Sequence, residues 1–117
     1  MTATLVALFR RPDGGPEAVA AFERAYAETH LPLVAATPGL LDVRILRVAE
    51  ALGAETDLLL ITEMDFADRR ALDEGLRSEA MRAAGRNLRE IAPGLVTLLV
   101  AGRGAELLPA AAPRGGG

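Results

Sequence analysis

Leu40-Leu-Asp-Val-Arg-Ile-Leu-Arg-Val48 and Asp57-Leu-Leu-Leu-Ile-Thr-Glu-Met-Asp-Phe66 are two β-prone runs. Between them lies only the stretch 49–56, which holds Gly53. A strand, a loop and a strand with no helix between them are thus predicted. In the second run Leu58, Leu60, Thr62, Met64 and Phe66 share one face, and Leu59, Ile61, Glu63 and Asp65 the other.

Upstream, Pro38-Gly39 is a strong break. Before it a helix is predicted from Pro16 to Leu31, with Pro16 at its first position and Glu17 beside its positive end. Val19, Phe22, Tyr26 and His30 form its apolar stripe at spacings of three or four. Pro32 interrupts it, and Leu33 to Thr37 is expected to add one more turn. The turn Arg11-Arg-Pro-Asp-Gly-Gly15 separates this helix from a first strand, Thr4 to Arg10. Downstream, a helical region runs from Asp68 to Ile91, with a break expected at Gly75 and a new cap at Ser78. Its stripe is Leu76, Ala80, Ala84, Leu88 and Ile91. Pro93-Gly94 ends it, and Leu95 to Ala101 is the last strand. The order βαββαβ is the split βαβ unit, an α+β ferredoxin-like fold with a four-stranded antiparallel sheet. One domain over residues 1–103 is expected, followed by a flexible Gly-, Pro- and Ala-rich tail over 104–117.

Two helices cover one face of such a sheet. The last strand, Leu95-Val-Thr-Leu-Leu-Val-Ala101, is apolar on both faces, as is the start of the third. Leaving that second face wet forfeits several kcal/mol at about 25 cal/mol per Å². A homodimer packed sheet to sheet is therefore expected.

The chain has 117 residues, half of them hydrophobic, and no cysteine. It can bury a core without disulfides, and thiolate metal sites are excluded. No apolar run approaches a membrane span, and the N-terminal segment reads as a strand, so a cytoplasmic location is the expectation. All 13 basic residues are arginines, interleaved with acids to a net charge of −3. That pattern is a solvated helix surface and no nucleic-acid footprint, and four aromatic residues are too few for base stacking.

Elimination narrows the chemistry. Without lysine there is no Schiff base and no P-loop. One histidine excludes two-histidine metal sites, and the single serine, Ser78, sits at a helix start outside any nucleophile elbow. No dinucleotide fingerprint follows a strand. Glu63 and Asp65 share a strand face, but paired acids there more often meet solvent or an arginine, so no metal and no cofactor are expected. His30 remains, the one side chain that titrates near neutral pH, on a stripe aimed at the sheet. It is the candidate catalytic residue, as general base or acid. Tyr26, Phe22, Glu63 and Asn87 are the candidate ligand-binding residues. A structural alternative has the imidazole merely closing the helix end. Met64 and Met81 read as core filler.

The run Tyr26-Ala-Glu-Thr-His-Leu-Pro-Leu-Val-Ala-Ala-Thr-Pro-Gly-Leu40 resembles the EthD-family signature. The matching positions are His30, Pro32, Leu33, Val34, Pro38, Gly39 and Leu40. Glu63-Met-Asp-Phe66 resembles the family's acidic-aromatic end of strand three. The family's usual acidic and aromatic close of the second helix is replaced here by Met81-Arg-Ala-Ala-Gly-Arg-Asn-Leu-Arg-Glu90. The resemblance implies a dimeric α/β barrel and a connection with breakdown of organic compounds. On the same fold it implies relatives that are cofactor-free monooxygenases, muconolactone isomerases and polyketide cyclases. The expected function is binding of an apolar organic metabolite, such as an aromatic or polyketide-like carbonyl compound, with His30 moving a proton. The alternative is a non-catalytic accessory protein of a catabolic pathway.

Overall fold

A computed structural model describes residues 2–109. Four strands, β1 (Ala3–Arg10), β2 (Leu40–Arg47), β3 (Leu58–Phe66) and β4 (Val96–Gly102), form one antiparallel sheet in the order β2-β3-β1-β4. The helices α1 (Gly15–Ala25), α2 (Leu31–Ala35), α3 (Arg69–Leu76) and α4 (Glu79–Ile91) join them in the predicted βαββαβ order. Pro38-Gly39 and Pro93-Gly94 feed β2 and β4, with Gly39 at φ +83° and Gly94 at φ +73°, conformations that only glycine enters freely. Among the described residues no helix is long and apolar enough to cross a membrane.

Alternation decides the two faces of the sheet. Ala3, Leu5, Ala7 and Phe9 of β1 and Leu60, Thr62, Met64 and Phe66 of β3 are buried beneath the helices. The assignment of Leu60, Thr62, Met64 and Phe66 to one face is borne out; at Leu58 the register against β1 slips, and there Leu58 is half-buried while Leu59, expected on the other face, is buried. In β2 the register slips between Leu40 and Asp42, and that bulge turns Val43 and Ile45 toward the helix side. The opposite face carries no helix. One half of it is apolar, with Leu8, Ile61 and Leu46 in one cross-strand row and Val6 beside Leu99 in the next. The other half is charged: Arg44 binds Asp42, Glu63 and Asp65 at 2.7–3.0 Å, and Thr4 donates to Asp65 at 2.7 Å. Asp42 and Asp65 stand directly opposite each other, and the guanidinium between them relieves the repulsion. Arg44 and Thr4 together hold the Asp65 carboxyl below the usual range.

Two helix boundaries differ from expectation. The first helix does not run unbroken to Leu31: Tyr26–His30 is a π-helical turn, and α2 begins at Leu31 with Pro32 in its first turn. Proline has no N–H to donate, so it is tolerated where a new segment starts. The second helical region does break, at Ser78, whose hydroxyl accepts from the Met81 N–H, just as Asp68 caps α3 through Ala71. Gly75, however, is no breaker. It lies inside α3, where a Cβ would stand 2.7 Å from Phe66 Cε1 and 3.2 Å from Thr37 Cγ2. Phe66 is fully buried and cannot retreat. Gly75→Ala is therefore expected to lower the thermal midpoint. Overpacking of about 1–3 kcal/mol opposes a helix-propensity gain of no more than about 1 kcal/mol. A calorimetric midpoint equal to or above that of the native chain would contradict this contact.

The tail expected over 104–117 lies largely outside the described residues. Within them, Ala105–Leu107 forms one 3₁₀ turn.

Candidate active site

A column of rings organises the site. Phe22 stacks on Tyr26 (centroids 5.7 Å apart, planes 27°), and Tyr26 stacks on His30 (5.2 Å, 22°). A regular helix drifts by about 40° for each step of four residues. The π-helical turn, closed by Leu31 N–H to the Tyr26 carbonyl, contains an extra residue and reduces that drift. Phe22, Tyr26, His30 and Val34 are consequently all buried on the side facing the sheet. From below, Phe9 meets Tyr26 edge-on at 5.0 Å.

Each polar tip in the column is bonded. The Tyr26 hydroxyl lies 2.6 Å from Thr62 Oγ1. Nδ1 of His30 lies 3.2 Å from Oδ1 of Asn87. With the amide oxygen facing it, Nδ1–H donates, and that assignment leaves the lone pair on Nε2. Burial lowers the His30 pKa from its ordinary 6.5, and the Asn87 bond offsets part of this. The imidazole is thus neutral at neutral pH. Burial raises the Tyr26 pKa, opposed by its Thr62 bond, so Tyr26 stays a phenol.

Tyr26 and His30 both line a cavity of about 180 Å³ between the sheet and α4. Leu5, Ala7, Phe9 and Met64 form its floor, and Val34, Leu76 and Ala84 its walls. Its rim is Met81, Gly85 and Leu88 of α4 facing Leu98 of the edge strand β4, itself 51% exposed. An engineered cavity of about 150 Å³ admits benzene, so this one has room for a single ring with a small substituent. The arrangement presents one base and one neutral hydroxyl to an otherwise apolar guest.

Among solved structures the chain is similar to an EthD (ethyl tert-butyl ether) family protein from Bacillus halodurans. Identity is 29% over 88% of this chain and 99% of that one, with a TM-score of 0.79. The chain is EthD-like. SnoaB, a cofactor-independent oxygenase from Streptomyces nogalater, is similar at 20% identity (88% and 93% covered, TM-score 0.62). A dimeric ferredoxin-like protein from Jannaschia is similar at 17% (88% and 100%, TM-score 0.65). At those identities the likeness is one of fold. No protein-family profile and no protein of curated function matches the chain.

In the EthD-like chain the structure brings His30, Tyr26 and Asn87 together. Phe22 supports Tyr26 from behind and does not line the cavity. Glu63 requires a correction: strand alternation puts it on the opposite face of the sheet, bound to Arg44, away from His30. Thr62, Gly85 and Leu98 were not anticipated. Thr62 had a signal, since it is the one polar residue on the buried face of β3. The methionines read as core filler both reach the cavity, Met64 in its floor and Met81 at its rim.

Proposed function

We propose that the EthD-like chain binds one small apolar organic molecule with a carbonyl or weakly acidic group beside His30, and that His30 acts as its general base. The observation that carries this is an imidazole that lines an apolar cavity, with Nδ1 bonded to Asn87 and Nε2 in no protein hydrogen bond among the described residues. In that setting Nε2 takes a proton from an acidic C–H or O–H of the guest. The bond from Nδ1–H to Asn87 steadies the imidazolium that forms. When Thr62 donates to the Tyr26 oxygen, the phenol proton is free to meet the guest's developing oxyanion. No step in this scheme calls on a cofactor, and the product class is that of an isomerase, a lyase or a cofactor-independent oxygenase. The open, half-apolar sheet face is the surface on which a second copy packs, in keeping with the dimeric neighbour of the same fold. The setting is a cytoplasmic one, without nucleic acid.

A second reading keeps the cavity and drops the reaction: an accessory protein that holds a metabolite. It is favoured by the sparse chemistry of the lining, which contains no carboxylate.

With one histidine in the chain, its imidazole ¹⁵N resonances need no assignment. 4-Ethylphenol is expected to shift Nε2 through its O–H, whereas ethylbenzene shifts the cavity methyls and leaves Nε2 in place. If neither compound perturbs any cavity resonance, the binding reading is wrong.

A further inference from the structure

We infer that Gly85 sets the width of the doorway to the His30 cavity, and with it the size of molecule that reaches the imidazole. This rests on the cavity reading above and adds the residue that controls access.

Gly85 sits in the interior of α4, where glycine is less favourable than any residue but proline, and Gly75 is the penultimate residue of α3. Gly75 is explained by the ring of Phe66. Gly85 has no such explanation. Its φ is not positive, so no special backbone shape demands glycine. A Cβ built on it meets nothing within 4 Å. What distinguishes the position is where it lies. Met81 and Leu88, one turn before and after it, are its neighbours on the same stripe of α4, and all three are half-buried and line the cavity. The adjacent stripe, Ala84 and Asn87, is buried. Gly85 therefore belongs to the rim, opposite the half-exposed Leu98. Any side chain placed there projects into the opening that the bare Cα leaves clear. Methionine and leucine flanks can change rotamer, but the gap between them is permanent only while position 85 has no side chain.

Diethyl pyrocarbonate provides a probe that needs no knowledge of the natural guest. Its carbonyl carbon bonds to the neutral imidazole nitrogen, a proton is lost, and the leaving carbonate breaks down to ethanol and carbon dioxide. The ultraviolet absorbance of the product reports the single histidine. Gly85→Leu is expected to slow this modification by about tenfold, since the leucine must leave its preferred rotamer for the reagent to pass. Its thermal midpoint should equal or exceed that of the native chain, because leucine is a far better helix former than glycine. Gly85→Met, unbranched and equally at home in a helix, carries the same expectation should leucine unfold the chain. A folded variant that reacts as fast as the native protein overturns the doorway and leaves the cavity reading standing. A native protein whose histidine reacts only after unfolding overturns both.

Discussion

His30→Ala is expected to lower kcat/KM by about 10²–10⁴-fold for any substrate whose proton the imidazole removes, the usual worth of a positioned general base. Alanine also removes the last plate of the ring column, so His30→Gln is the better control for shape. Both variants should lose turnover, and glutamine should keep binding. If either turns over a found substrate at the native rate, the mechanism is wrong. The pH profile gives an independent check with a definite sign. Because burial lowers the His30 pKa below 6.5, the neutral, competent form predominates above that value. kcat/KM should therefore rise with pH, inflect below 6.5 and be flat by neutrality. The same shift couples to folding. The unfolded chain holds this proton more tightly, so the histidine's contribution is complete above about 6.5 and is lost as pH falls through the lower folded-state value. His30→Gln should flatten that part of the stability curve.

Ile61→Asp is expected to convert a dimer to monomers. Ile61 lies at the centre of the apolar half of the open face, between Leu8 and Leu46. Leu46 and Leu99 around it are about half exposed in the single chain. Across a twofold axis each copy would bury its own new carboxylate against apolar neighbours. Each unpaired buried charge costs about 3–5 kcal/mol, and the dimer holds two, so the dissociation constant rises by at least roughly 10²- to several 10³-fold. Sedimentation of both proteins over a range of concentrations reads this directly. Leu52→Asp makes the same charge change at an 86% exposed loop residue and should leave assembly untouched. A native chain that sediments as a monomer, or an Ile61→Asp variant that dimerises like the native one, would rule out this face as the interface.

The fold was legible because its signals are local. Two β-prone runs with only 49–56 between them, the Pro-Gly pair before β2 and the one before β4, and the stripe ending at His30 each act over a few residues. His30 and Tyr26 could be paired from spacing alone, since both lie on that stripe. Asn87 could be placed near them because it neighbours the stripe of the second helical region. Glu63 misled because membership of a motif says nothing about which side of a sheet a residue faces. Its alternation with Met64 and Thr62 did carry that information. Gly75 misled for another reason. The tight approach of Phe66 is a contact between α3 and β3, and no property of the glycine's sequence neighbours announces it. The π-helical turn was likewise hidden, because Pro32 marks where a helix must adjust but not how.

That wide turn makes the site depend on a count. Phe22 belongs to α1 and Val34 to α2, with Tyr26 and His30 at the two ends of the π-helical turn between them, and the surplus residue in that turn lets both helices present their inward side chains together. Removing any one residue from 27–29 would leave a helix that still reaches the sheet, yet everything after the cut would rotate by about 100°. The chain would then fold around a misdirected imidazole, much as a shifted reading frame yields a legible message with the wrong words. In this architecture a short deletion is more damaging to the chemistry than most substitutions, and insertions belong in the loop 49–56, where no such phase has to be kept.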